Sequence, residues 1–201
     1  MQPLRPGSIY HIFNHANGDD NIFRTEENYR FFLEKFKQHI YPVASVFAYN
    51  LLPNHFHWLL QIRREEELKH AFAKFNMLKK PEEQYQFVSK QFSNFFSSYT
   101  QSFNKVNDRM GSLFVKNFKR ERIVSEVHFQ NTFLYIYLNA VKHGFVENEM
   151  DWRWSSCSAY SKRGMKTLID VEGAIRFFGS FENLHFRLNK RRKFFLNLNY
   201  E

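Results

Sequence analysis

Leu51-Leu52-Pro53-Asn54-His55-Phe56-His57-Trp58-Leu59-Leu60-Gln61 decides how the rest of the chain is read. Its flanks, Val43 to Leu52 and Trp58 to Ile62, are β-branched, aromatic and aliphatic, and Pro53-Asn54 turns one run into the next. The pattern predicts two strands joined by a tight turn. Residues i and i+2 of a strand point to the same face. His55 and His57 therefore present two imidazoles side by side, and Phe56 goes to the opposite face. Two imidazoles on a rigid sheet make half of a divalent-metal site. The competing reading is a pair of partly exposed strand histidines, because nine His in 201 residues give roughly 0.4 such pairs by chance. The motif needs a second half elsewhere in the chain.

A length of 201 residues predicts one domain, or one domain with an appendage, large enough for a real core. Apolar residues make up 43% and aromatics 19%, which excludes a disordered chain. The net charge of +9 points to a polyanionic partner, above all nucleic acid. Cys157 is the single cysteine, so no disulfide framework is expected and a reducing cytoplasm suits the chain. No apolar run approaches the ~18 residues that cross a bilayer, and no leader segment is read at the N-terminus.

Working outward, Ser8 to His15 alternates and predicts a first strand. Thr25 followed by Glu26 and Glu27 opens a helix whose apolar face is Tyr29, Phe32, Leu33, Phe36 and Ile40. Glu65 to Lys80 is helical in composition and Pro81 interrupts it. Ser89 to Lys105 predicts a further helix with Phe92, Phe95, Phe96, Tyr99 and Phe103 on one stripe. An extended segment from Leu113 to Val124 carries Lys116, Lys119, Arg120 and Arg122. Ser125 caps a helix that runs to His143-Gly144, with Phe129, Phe133, Ile136 and Ala140 toward the core. Asn131, Tyr135, Asn139 and Lys142 share another face. A helix from Asp170 to Phe178 and a basic segment from Arg187 to Lys193 complete the chain. Strand, helix, strand, strand, helices, strand, helix is the order of an α+β, ferredoxin-like split β-α-β sheet: antiparallel, with helices on one face.

If the last helix of that set crosses the sheet, Tyr135 and Asn139 look at the two histidines. Two imidazoles and an amide oxygen would then hold a divalent cation that offsets the charge of a phosphodiester. A phenol, protonated at neutral pH, needs such a site to act as a nucleophile.

His55-Phe56-His57 resembles the HUH (His-hydrophobic-His) motif of single-tyrosine transposases. Tyr135-Ile136-Tyr137-Leu138-Asn139-Ala140-Val141-Lys142-His143-Gly144 resembles the nucleophile helix of the REP-associated tyrosine transposases. Trp154-Ser155-Ser156 with Tyr160, and Tyr10-His11, are similar to two further stretches of that family. The matches run from about residue 8 to 160. The resemblance implies an HUH endonuclease fold that cleaves and rejoins single-stranded DNA near palindromic hairpins through a transient 5′-phosphotyrosine, with Mg²⁺ or Mn²⁺. It gives His55, His57 and Asn139 the part of metal ligands and Tyr135 that of nucleophile. Lys116, Lys119, Arg120, Arg122, Lys142, Arg191 and Arg192 are the expected DNA contacts. Residues 1–160 form the expected catalytic domain and 161–201 a basic helical tail, in a homodimer or a monomer. Ala140 departs from the family's proline, Tyr137 offers a second phenol, and the 74–96 region looks longer than usual. A non-catalytic RNA-recognition-like module, stacking bases on Tyr10, Phe47 and Tyr49, is the alternative. A metallohydrolase that attacks with a metal-bound water is a third.

Overall fold

Strands β1 (Ile9–His15), β2 (Ala44–Leu52), β3 (His55–Ile62) and β4 (Lys119–Arg122) form one antiparallel sheet in the order β2-β3-β1-β4. The structure, a computed structural model, describes residues 3–74, 81–161 and 167–198. Helix α1 (Glu26–His39) leads from β1 to β2, and α2 (Glu65–Lys74) and α3 (Pro81–Val106) lead from β3 to β4. Helices α4 (Glu126–Tyr137), α5 (Asn139–Lys142), α6 (Val171–Arg176) and α7 (Phe181–Leu198) follow. This is the expected split β-α-β order in an α+β chain. The expected helix to Lys80 ends within the described residues at Lys74, and 75–80 lie outside them. Helix α3 starts at Pro81 rather than Ser89, because a proline suits the first turn of a helix.

Helices cover both faces of the sheet, not one. Phe56, Trp58 and Leu60 of β3 pack with Phe32 and Phe36 of α1 and with Phe92, Phe95 and Tyr99 of α3. On the other face Leu59, Phe47 and Ala48 meet Phe129, Phe133 and Ile136 of α4 and Leu184 and Leu188 of α7. The cause lies in the central strands: Phe56, Trp58 and Leu60 are apolar on one side and Leu59, with Phe47 and Ala48 of β2, on the other, so each side requires a cover. Tyr10 and Phe47 are buried and Tyr49 is partly so, which leaves no open aromatic sheet face among the described residues.

A register shift in β2 between Val46 and Ala48 sets which residues share the histidine face. Val46 pairs with Leu60 but Ala48 pairs with Leu59, so the extra residue Phe47 flips the alternation. Asn50 consequently pairs with His57 and shares its face. The outer edge of β2 is closed by the Trp154-Ser155-Ser156 stretch. Leu51 N–H donates to Trp154 O at 3.0 Å, Ser156 N–H to Tyr49 O at 3.0 Å, and Tyr160 Oη to the bulge carbonyl of Phe47 at 2.5 Å. Strand β4 is only four residues long, because the pairing with β1 is interrupted at Asn117 (φ +66°); before it Val115 N–H donates to His15 O at 3.0 Å and Asn17 N–H to Leu113 O at 2.8 Å.

The described part of the tail packs into the α4 side of the sheet through Leu184, Leu188 and Phe195. Its Arg192 guanidinium is joined to the buried carboxylate of Glu149, with Nε to Oε2 at 2.7 Å. Removing one partner would strand a buried charge. Arg192→Met is expected to lower stability by about 3 kcal/mol, read as a urea midpoint. Arg192→Met with Glu149→Gln should recover most of that loss, and a double variant as unstable as the single would contradict the pairing.

Candidate active site

The histidine face is built from both partners of β3. His55 stands opposite His15 of β1, and His57 opposite Phe13, with His11 one step further along β1. His11, His55 and His57 are 8%, 6% and 4% exposed, which excludes the partly exposed histidine pair. Ring centroids lie 5.3 Å apart for His55–His57, 4.8 Å for His15–His55 and 5.1 Å for His55–His143. His11 Nε2 and His57 Nδ1 are 2.9 Å apart, and His55 Nδ1 lies 2.7 Å from Asn54 Oδ1. Burial, and then the repulsion of neighbouring imidazoles, pushes His57 down to about 2 and His55 to about 4. Burial, and then His128, brings His11 to about 4. These rings are neutral at neutral pH and keep a lone pair for a ligand.

Above this face runs α4. Ser125 Oγ accepts the His128 N–H at 3.1 Å and starts the helix. The expected helix to His143 is broken at Leu138 (φ −95°, ψ 10°), between Tyr135 and Asn139. The end at Gly144 stands, with φ at +70°. The ring of Tyr135 lies 5.2 Å from that of His57 and 6.3 Å from that of His11, edge-on to both. Lys142 Nζ sits 4.7 Å above the same ring. Among the described residues the Tyr135 hydroxyl has no hydrogen-bond partner and the side chain is half-buried. Two other phenols near the sheet are committed. Tyr137 Oη donates to Cys157 O at 3.3 Å, Tyr99 Oη to Ile22 O at 2.7 Å, and burial holds both phenols well above the usual range.

Asn139 is fully buried, and neither its Oδ1 nor its Nδ2 has a hydrogen-bond partner. It lies against His55, close enough to favour the charged ring, yet without a hydrogen bond of ordinary geometry. A buried, unpaired amide is costly unless something else meets it. Among the described residues no group of three or more His, Cys, Asp or Glu is arranged to hold a metal ion. His57 and this orphaned amide both lie beside His55, and two neutral imidazoles with an amide oxygen are a donor set that suits an ion taking mixed nitrogen and oxygen ligands.

The expected cations divide. Lys119 shares the histidine face, with Nζ 6.0 Å from the Phe13 ring, whereas Arg120 and Arg122 point to the opposite face. The Arg120 guanidinium lies 5.1 Å over Phe118, and its Nε is buried without a partner. Lys116 is exposed beside a cleft of about 390 Å³ between α3 and the 112–118 loop. On α7, Arg191 lies over Phe194 and Phe195, and Arg192 is taken by Glu149. Sequence reading named His55, His57, Tyr135 and Asn139 but missed His11, His143 and Asn54 as members of the site. The signal for His11 was present, since His11, Phe13 and His15 alternate in the same way as His55 and His57.

The fold and site define a ferredoxin-like α+β chain with histidines on a central strand and a tyrosine helix across them. A solved structure of a REP-associated tyrosine transposase bound to a REP hairpin has this fold, with a TM-score of 0.53 and 17% identity over 85% of this chain and 90% of that one. A Haemophilus influenzae protein, named provisionally as a REP-associated tyrosine transposase, is 29% identical over 121 residues. That match spans 58% of this chain and 60% of the relative's length. No protein-family model matches the chain. The resemblance to the REP-associated tyrosine transposases is borne out by the sequence match, and the fold it implies by the structural one.

Proposed function

We propose that this chain cleaves and rejoins single-stranded DNA beside hairpin repeats, with Tyr135 as the nucleophile. The observation that carries the reading is the Tyr135 phenol, without a hydrogen-bond partner among the described residues and set between Lys142 and the His57 ring. The structural neighbour's bound REP hairpin makes hairpin DNA the leading partner. Attack by Tyr135 Oη on a phosphorus forms the phenol ester and breaks the bond to the 3′-oxygen, which leaves as a 3′-hydroxyl after taking up a proton. The phenol proton departs as the ester forms, and the Lys142 ammonium stabilises the phenolate character that develops. Rejoining is the reverse: a 3′-hydroxyl attacks the ester and returns the phenol. His55, His57 and Asn139 are the residues that would hold Mg²⁺ or Mn²⁺. When bound, that ion polarises a non-bridging phosphate oxygen and offsets its charge.

The test is incubation of the protein with labelled hairpin single-stranded DNA and Mn²⁺, followed by denaturing electrophoresis. A label that migrates with the protein supports the tyrosine ester. Cleavage with no retained label would favour attack by water instead.

Backbone contacts come from Lys119 and Lys142 beside the site and from the exposed face of α7, Lys190, Arg191 and Lys193. Arg192 is left out because its charge is met by Glu149. Replacing Lys190, Arg191 and Lys193 by Gln should weaken hairpin binding and make the slope of log K against log salt shallower by about 2. An unchanged slope would remove α7 from the interface.

A further inference from the structure

Each of the two ligand imidazoles is engaged at Nδ1 by a residue that the proposed chemistry does not use. We infer that His11 and Asn54 are positioning residues: they occupy Nδ1 of His57 and Nδ1 of His55, and so direct both bare Nε2 atoms toward the ion. The inference rests on the metal-centre reading above.

His55 Nδ1 lies 2.7 Å from Asn54 Oδ1. A carboxamide oxygen only accepts, so His55 carries its proton on Nδ1 and leaves Nε2 as a lone pair. His57 Nδ1 lies 2.9 Å from His11 Nε2. Two facing ring nitrogens at that distance share one proton. Were it held on His11, neutral His57 would carry its own proton on Nε2 and have no lone pair to aim at an ion. Ligation therefore selects Nδ1–H on His57 and the acceptor role for His11 Nε2. The two engagements come from different elements, a turn and a neighbouring strand, yet leave the same nitrogen free on each ring. The His11 ring is held by stacking on Phe13, with centroids 4.7 Å apart. Asn54 is fixed through its own carbonyl, which accepts the Ala16 N–H at 2.7 Å. This gives the residue before the first histidine a reason of its own.

Such outer partners typically change metal affinity by about 10- to 100-fold. His11→Leu and Asn54→Leu are each expected to weaken Mn²⁺ binding by that factor in titration calorimetry. The metal-free melting temperature should fall by a few degrees for His11→Leu, which leaves the buried His57 Nδ1 unpaired, and change little for Asn54→Leu at an exposed position, while in both the rise in melting temperature on adding Mn²⁺ should shrink. His11→Gln carries an acceptor close to the position of Nε2, and Asn54→Asp keeps one at Oδ1. Both should return to within about tenfold of the wild-type affinity. A folded Leu variant with wild-type Mn²⁺ affinity overturns the role of that residue. If the Leu variants do not fold, the isosteric pair decides: Gln or Asp variants that fold yet bind no Mn²⁺ overturn it, and near-wild-type binding supports it. Wild-type protein that binds no Mn²⁺ overturns the metal centre itself, and is thereby distinguished from failure of the positioning role alone.

Discussion

Tyr135→Phe is expected to abolish strand cleavage, by on the order of 10⁴-fold or more, while leaving hairpin DNA binding and Mn²⁺ binding within about threefold of wild type. The substitution removes one oxygen that has no hydrogen-bond partner among the described residues, so packing has little to lose. The ring keeps its edge-on contact with His57 and its place under Lys142. No second phenol can replace it. Tyr137 points away from the histidine face and is bonded to Cys157 O, and Tyr99 lies on the far side of the sheet, bonded to Ile22 O. Tyr137→Phe should keep its activity and lose about 1 kcal/mol of stability with its buried hydrogen bond. Mass spectrometry of the wild-type adduct locates the ester. A nucleotide on any residue other than Tyr135 would defeat the assignment. Duplex DNA of the same sequence should be cleaved poorly, because a paired, stacked backbone does not reach a phenol set between a sheet and a helix.

The parts of this architecture legible in the sequence are those set by local period. Alternation put His55 and His57 on one face, and a spacing of four put Tyr135 and Asn139 together on α4–α5. The Phe129-Phe133-Ile136 stripe fixed which side of the helix met the sheet. What stayed hidden depends on partners distant in sequence. The bulge at Phe47 has no marker in the residues around it, since Val46, Phe47 and Ala48 all suit a strand; it is stabilised by Tyr160 from 113 residues away. The break at Leu138 is likewise silent, because Leu is a good helix former. Arg192 looked like one more cation of a basic run, and only the fold brings it to Glu149, 43 residues earlier. The two-sided cover of the sheet was readable in principle. Leu59 and Leu60 are consecutive apolar residues of one strand, and a strand with one wet face alternates.

His55→Ala with His57→Ala is expected to remove Mn²⁺ binding and to reduce cleavage by on the order of 10³-fold or more, a second loss on the scale of Tyr135→Phe. The argument turns on what the two rings contribute. They are buried but neutral, so no ion pair is lost with them. Their removal empties polar volume beside Asn139 and frees the buried His11 Nε2, at a cost of about 1–2 kcal/mol, whereas Asn54 Oδ1, on an exposed residue, is met by water. The core of Phe56, Trp58 and Leu60 lies on the other face and is untouched. The double variant should therefore fold, melt a few degrees lower, and still bind hairpin DNA through its cations. Imidazole ligands favour Mn²⁺ over Mg²⁺, which prefers oxygen donors, so wild-type protein should bind Mn²⁺ at least as tightly as Mg²⁺. Calorimetric titration of both ions into both proteins separates the outcomes. Undiminished Mn²⁺ binding in a folded double variant would sink the assignment of these two ligands, and Asn139 alone would then have no metal to meet.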